Sequence, residues 1–329
     1  MNFSPVFHKM WPTKNGEGPA ESLREQFEAR ERRFMSPFGS LSSKARRRVM
    51  DTAPCPVRTA FQQDRDRIVY SNAFRRLKYK TQVFLNPLGD EYRTRLTHTL
   101  EVAQIARTIA RAMFLNEDLA EAIALGHDLG HTPFGHGGEM ALKEIYSPGF
   151  THNKQSLRVV DRLENNGRGL NLTLDVRDGI LKHSKGFGRV MPDNPAELPI
   201  SVEGRIVRFA DIMAYLNHDL DDAIRSGVID ARQVPEVCMR MIRDFITNSC
   251  TTINGMDLQM SGSVNEAMQI LRHFLYENVY RSEKVHQEFV KAKKILSDLY
   301  AHFLGNESDL KEELRSMEMN GCNDRSQPR

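Results

Sequence analysis

Ala124-Leu-Gly-His127-Asp128-Leu-Gly-His131-Thr-Pro-Phe-Gly-His136-Gly-Gly-Glu139 is the stretch that organises the rest of the chain. A His-Asp pair is followed, within eleven positions, by two more histidines and a glutamate. His98 lies one expected helix upstream and His152 shortly downstream, so five of the 11 histidines fall between 98 and 152. The stretch is too polar and too rich in glycine to be core. A lone His-Asp dipeptide occurs by chance and predicts little, and a single core histidine is more often just hydrogen-bonded, but this clustering points to a metal site.

An imidazole lone pair and a hard anionic carboxylate together suit Mn, Fe, Co, Ni or Mg. Neighbouring residues on a helix point about 100° apart, so His127 and Asp128 reach one ion only at a helix end that other helices complete. His98, on the preceding helix, is the expected third ligand. Asp211 is the expected fourth: it interrupts the apolar run Ile206-Val-Arg-Phe-Ala-Asp-Ile-Met-Ala-Tyr215, where a bare carboxylate is costly without a partner. Two histidines and two aspartates leave room for water, whose pKa such an ion lowers while polarising a phosphoryl oxygen.

His131, His136, Glu139 and His152 are too many for the same ion. Phosphate-ester hydrolysis needs a proton donor for the leaving oxygen, and a histidine tuned by a carboxylate suits that near neutral pH. His136 with Glu139 is the expected acid–base pair; His131 and His152 are expected to bind phosphate oxygens or orient water. Arg95, one turn before His98, is the expected phosphate contact. For Arg75, Arg76, Lys78 and Lys80, a solvated surface and a phosphate role weigh equally.

The flanking pattern is helical. Val102, Ala103, Ala106, Ile109, Ala110 and Met113 form one stripe over residues 95–114. Helices are expected near Glu21–Phe34, over 58–80, from 117 or 118 to 129, over 138–145, from His152, over 175–183 and over 202–226. Three amphipathic helices should follow, with stripes at Val234/Val237/Met241/Ile242/Phe245, Val264/Met268/Leu271/Leu275 and Val285/Phe289/Ile295/Leu299/Phe303. Gly130–Gly138 reads as a compact loop carrying His131 and His136, Asn86–Asp90 as a turn, and Ser184–Pro199 as a loop. No strand alternation is evident, so the fold class is all-α, with further helices C-terminal to the metal-binding bundle.

Of the 46 Lys and Arg, ten lie in residues 1–50 against five Glu, leaving 36 against 38 elsewhere. Residues 1–45 thus read as a flexible basic arm, 46–305 as the catalytic body and 306–329 as a frayed polar tail. A solvated arm outweighs a nucleic-acid contact. Four scattered cysteines suggest neither a zinc ribbon nor a disulfide framework and make a reducing cytoplasm the default. No apolar run is long enough for a membrane span, and the N-terminus lacks a signal-peptide layout.

Several motifs carry a specific resemblance: Arg58-Thr-x-Phe-Gln-x-Asp-Arg-Asp-Arg-Ile68, Phe74-Arg-Arg-Leu-x-x-Lys-Thr-Gln-Val-Phe84, Arg95-x-x-His98, the stretch 126–139, His152-Asn-x-Gln-Ser156, and Ala210-Asp-Ile-x-Ala-Tyr-x-x-His-Asp219. In this order they resemble the HD-domain deoxynucleoside triphosphate triphosphohydrolases, specifically the shorter dGTPase-like branch. The resemblance implies an HD-domain helical bundle that cleaves a dNTP into deoxynucleoside and inorganic triphosphate by water attack on the α-phosphorus. It implies one divalent ion on His98, His127, Asp128 and Asp211, and catalytic roles for His131, His136, Glu139 and His152. It places Arg95 on phosphate, Tyr215 beneath the deoxyribose, and Asp219 and Gln82 near the 3′-hydroxyl. It also implies a homo-oligomer, a tetramer or hexamer, with a nucleotide activator in some members. The competing readings are an HD phosphohydrolase acting on a nucleoside monophosphate, cyclic nucleotide or alarmone, and a non-enzymatic nucleotide or nucleic-acid sensor.

Overall fold

Helix starts follow the polar residues that cap them. The computed structural model describes residues 22–49, 54–84, 92–184, 190–192, 194–234, 241–253 and 255–322. Ser22 opens α1 (Leu23–Phe34) with a capping box to Glu25. Thr59 and Gln62 do the same for α2 (Ala60–Val69), which is followed by the short α3 (Asn72–Arg76). Thr94 caps α4 (Arg95–Ala112) and Asn116 caps α5 (Glu117–Gly126). Next come α6 (Gly135–Ile145), α7 (His152–Arg158) with a π turn at Val159–Leu163, α8 (Leu174–Lys182) and α9 (Val202–Arg225). The chain continues through α10 (Met241–Asn248), a hairpin of β1 (Cys250–Thr252) and β2 (Gly255–Asp257), and α11 (Gly262–Leu275). A π turn, Tyr276–Tyr280, leads to α12 (Glu283–Gly305) and α13 (Glu307–Cys322).

The core is built on α4, α5 and α9, with α2 and α8 flanking α5. The α4 stripe of Val102, Ala103, Ala106, Ile109 and Ala110 is buried as its spacing requires. In α5, Leu119, Ala120, Ala122, Ile123, Ala124 and Leu125 are all buried, so this helix is apolar nearly all round and lies inside the bundle. Its alanines let the neighbouring helices approach closely. The most apolar helix thereby ends at His127-Asp128 and delivers a polar pair into the middle of the protein.

The fold is all-α as the sequence indicates, with five departures, the first being that the helix expected over 58–80 breaks at Tyr70–Ser71 into α2, α3 and a 3-10 turn because Ser71 caps a new start. Residues 22–45 were expected in a flexible arm, yet they dock on the body. The Glu31 carboxylate accepts from Ser42 N at 2.7 Å and Asn116 Nδ2 at 3.1 Å, and Glu203 accepts from Ser40 N at 2.9 Å and Asn116 N at 3.0 Å. These acids look solvated in sequence because their partners are up to 163 positions away. The β1–β2 hairpin was missed because three-residue strands are too short to show alternation. Helix α5 stops at Gly126 rather than 129, and α6 begins at Gly135 rather than 138, which puts His136 on a helix instead of a loop. Much of the expected frayed tail is α13, whose first turn carries Glu307 and Asp309, the charge a helix N-terminus favours. Residues 1–21 of the arm, the Asn86–Asp90 turn, Val237, and 185–189 and 193 of the expected loop lie outside the described residues.

Candidate metal centre and active site

The turn after α5 is fixed by one buried hydroxyl. Ser156, on α7, accepts from Gly130 N at 2.8 Å and donates to His127 O at 2.7 Å. Gly130 lies against the same helix so closely that an added Cβ would sit 2.0 Å from Ser156 N. That contact is why the helix ends early. Lys80 Nζ donates to Leu129 O at 3.1 Å from the other side. Burial, and then Arg95, bring the Lys80 pKa down to about 8.

The four expected metal ligands converge. His98 Nε2 is 3.3 Å from Asp211 Oδ1 and 3.9 Å from Asp128 Oδ2, and His127 Nε2 is 3.3 Å from Asp128 Oδ1. His127 Nδ1 lies 2.6 Å from Ala124 O. A carbonyl only accepts, so Nδ1 carries the hydrogen and Nε2 the lone pair. That Nε2 is buried without a hydrogen-bond partner, as expected of an atom shaped to bind a cation. His98 Nδ1 lies 2.7 Å from His218 Nε2, which leaves the His98 Nε2 toward Asp211. Burial pushes the His98 pKa down, which keeps the imidazole neutral as a ligand must be. Burial alone would raise the Asp128 carboxyl; His127, His131 and Arg95 together hold it well below the usual range. The donor set fits a divalent ion of the Mn, Mg, Fe, Co, Ni class.

A second group sits beside the first. Glu139 Oε2 accepts from His152 Nδ1 at 2.8 Å and lies 3.8 Å from His136 Nδ1, while Oε1 is 2.9 Å from Lys143 Nζ. Burial would raise the Glu139 carboxyl, but His136, His152 and Lys143 hold it far below the normal range. The His136 side chain is 70% exposed, in contrast to the buried His131 and His152. The rings of His131 and His152 stack at 4.1 Å. His131 Nε2 is 3.3 Å from Asp128 Oδ1, so this group and the metal ligands share a carboxylate.

The expected substrate residues divide. Arg95 is buried and donates from Nη1 to Asp128 Oδ2 at 2.7 Å, so it is tied to a metal ligand rather than presented to solvent. Its guanidinium also packs against Gly135, where an added Cβ would lie 2.7 Å from Arg95 Nη2; φ there is +56°, a second reason for glycine. Gln82 Oε1 is buried without a hydrogen-bond partner. Tyr215 Oη accepts from Arg272 Nε at 3.1 Å, and burial raises its phenol pKa to about 12. Asp219 Oδ2 accepts from Tyr280 Oη at 2.6 Å. Its Oδ1 is ion-paired with His218 Nδ1 at 2.9 Å, without the alignment of a hydrogen bond. Arg75, Arg76 and Lys78 are exposed, whereas Lys80 turns inward.

Sequence reasoning passed over Ser156, His183, His218, Arg272 and Tyr280. His218 is adjacent to Asp219 in a motif already singled out, so proximity could have found it. His183 had a signal only in being one more histidine just beyond a helix end. Tyr280 and Arg272 come from α11 and its π turn, more than 50 positions away, and nothing local marks them.

A family model for the HD domain matches residues 95–216, and one for a phosphohydrolase-associated domain matches 258–329. Three curated relatives are each named deoxyguanosinetriphosphate triphosphohydrolase-like protein. That of Desulfatibacillum aliphaticivorans is 62% identical over 297 residues, covering 87% of this chain and 85% of the relative. That of Caldanaerobacter subterraneus subsp. tengcongensis is 48% identical over 312 residues, covering 91% and 88%. That of Clostridium tetani is 41% identical over 305 residues, covering 88% and 86%. With the HD motif on a helical bundle and His98, His127 and Asp128 close enough to hold one metal ion, the chain belongs to the deoxyguanosinetriphosphate triphosphohydrolase-like family of HD-domain hydrolases.

Proposed function

We propose that this enzyme hydrolyses deoxynucleoside triphosphates, dGTP or several dNTPs, to deoxynucleoside and inorganic triphosphate. Water attacks the α-phosphorus and the 5′ oxygen leaves. The observation that carries the reading is the His98–His127–Asp128–Asp211 cluster beside a His136–Glu139–His152 group, with His131, paired to Asp128 and stacked on His152, between them. His98, His127, Asp128 and Asp211 would hold a divalent ion, which would lower the pKa of a bound water and polarise a phosphoryl oxygen.

The remaining work falls to side chains. His136, exposed and near an ionised Glu139, protonates the departing 5′ oxygen. Glu139 orients His136 and His152 and stabilises their charge. Arg95 supplies fixed positive charge on the phosphate side, and His131 and His152 meet the phosphates. Gln82 Oε1, a buried acceptor without a hydrogen-bond partner, and the Asp219 carboxylate suit a hydroxyl donor such as the 3′-OH. Tyr215, packed against C2′, would exclude a ribonucleotide's 2′-hydroxyl. The same reading treats residues 46–305 as one catalytic unit, cytoplasmic and assembled as a homo-oligomer.

The test is to incubate the protein with each dNTP and Mn²⁺ or Mg²⁺ and identify products. Deoxynucleoside plus triphosphate supports the proposal. Formation of dNDP or dNMP overturns it, and turnover only of monophosphates, cyclic nucleotides or alarmones favours the other HD chemistry.

A further inference from the structure

Helix α9 meets one expected metal ligand at both of its ring nitrogens. Asp211 and His218 stand seven positions apart on α9. Seven residues turn a helix through about 700°, close to two full turns, so the two side chains leave the same face. That face lies against His98 of α4. Asp211 Oδ1 is 3.3 Å from His98 Nε2, and His218 Nε2 is 2.7 Å from His98 Nδ1. Both histidines are buried, and their rings meet edge to face with centroids 4.8 Å apart. The function proposed above employs Asp211 and gives His218 no work.

The neighbours of these two rings favour one order of hydrogens. A ligating His98 offers the lone pair of Nε2, so the neutral ring carries its hydrogen on Nδ1. That hydrogen is donated to His218 Nε2, which leaves the His218 hydrogen on Nδ1. There it faces Asp219 Oδ1 at 2.9 Å, and a carboxylate attracts an N–H dipole and repels a lone pair. Asp219 is held in turn at its other oxygen, where Tyr280 Oη donates to Oδ2 at 2.6 Å. The reverse order of two neutral rings sets a His218 lone pair against the carboxylate and a hydrogen on His98 Nε2, which closes that nitrogen to a cation. His127 is oriented differently, by the backbone carbonyl of Ala124 at 2.6 Å from its Nδ1. His98 depends on a side chain for the same service, and a side chain can be replaced.

We propose that His218 is a positioning residue, anchored by Asp219, that holds His98 in the tautomer and ring orientation needed to bind the ion. This rests on the reading of His98 as a metal ligand. A partner on the second nitrogen of a ligating histidine fixes its orientation and raises its basicity, and loss of such a partner typically costs about 10–100-fold in metal affinity. The same row has a second consequence. Asp219 is the carboxylate to which the reading above gives the 3′-hydroxyl, so Asp219, His218 and His98 join the sugar end of the site to the ion in three side chains.

The test measures metal affinity without turnover. The full chain is stripped with chelator and titrated with Mn²⁺ by calorimetry as wild type, His218→Leu and His218→Gln. Leucine fills the space and offers no acceptor, whereas the glutamine Oε1 reaches the place of Nε2 and accepts from His98 Nδ1. The expected result is a loss of about 10–100-fold in His218→Leu, most of it restored in His218→Gln. Wild-type affinity in His218→Leu overturns the proposal alone, and so do equal losses in the two variants, which mark a packing role. Absence of Mn²⁺ binding in the wild type overturns the ligand reading of His98 and this proposal with it. Where the variants do not fold, ¹⁵N NMR of the histidine-labelled wild type with Mg²⁺ decides. Hydrogens on Nδ1 of both His98 and His218 are expected, and a neutral His218 with its hydrogen on Nε2 overturns the proposal.

Discussion

Ser156→Ala isolates the device that sets the His127-Asp128 turn. It removes a single oxygen, leaves no cavity of consequence, and breaks two buried hydrogen bonds, from Gly130 N and to His127 O. Each backbone group left unpaired in the interior costs about 1–3 kcal/mol. Part of this is offset because the alanine no longer buries a hydroxyl, so the expected loss is about 2–4 kcal/mol. With an unfolding entropy near 2.1 cal/mol/K per residue, 329 residues give about 0.7 kcal/mol/K, so the melting temperature should fall by roughly 3–6 °C. Differential scanning calorimetry measures it, with Ser147→Ala as the control: that exposed hydroxyl accepts one weak bond from Gly149 N, at 3.4 Å, and its loss should change little. Mn²⁺ affinity should fall too, because the turn carries two ligands. A melting temperature within about 1 °C of wild type, with unchanged Mn²⁺ affinity, would refute the claim that Ser156 sets this turn.

His136→Ala should bind metal as wild type does but lose about 10²–10⁴ in turnover, the span of a general acid; loss of metal in equilibrium dialysis would show that the histidines are divided wrongly. Glu203→Ala leaves Ser40 N and Asn116 N unpaired, so it should cost about 2–4 kcal/mol and expose the chain around Lys44–Arg48 to trypsin; unchanged proteolysis contradicts the docking of residues 22–45. Lys80 titrates near 8 in the folded protein against an ordinary 10.5. Above pH 8 the folded form has released a proton that the unfolded chain keeps up to 10.5, so stability contributed by this group rises across that window by up to about 3 kcal/mol. Urea melts at pH 7.5 and 10 should show that rise in wild type and lose it in Lys80→Met.

The parts of the site that were legible in sequence share one property: each ligand is chemically out of place where it stands. Asp211 interrupts an apolar helix, and His127-Asp128 ends the most apolar one, so burial called for a partner of opposite charge, the part a metal ion is proposed to play. His98 followed from its place in the first turn of α4. Helix existence was legible from the α4 and α5 stripes because their apolar spacing persists for several turns. What stayed hidden depends on contacts between distant segments. The α5 end is set by Gly130 meeting Ser156, 26 positions on. The docking of residues 22–45 relies on carboxylates whose donors lie far along the chain. Arg95 looked like a free phosphate ligand because its bond to Asp128 spans two helices. His183 carried no more local signal than any histidine after a helix; only its Nε2, 3.1 Å from that of His152, distinguishes it.

The most direct test of the account is hydrolysis of dGTP in ¹⁸O-labelled water, with both products weighed by mass spectrometry. Attack on the α-phosphorus predicts one ¹⁸O in the inorganic triphosphate and none in deoxyguanosine. Label in deoxyguanosine, or release of pyrophosphate or monophosphate carrying the label, would contradict it.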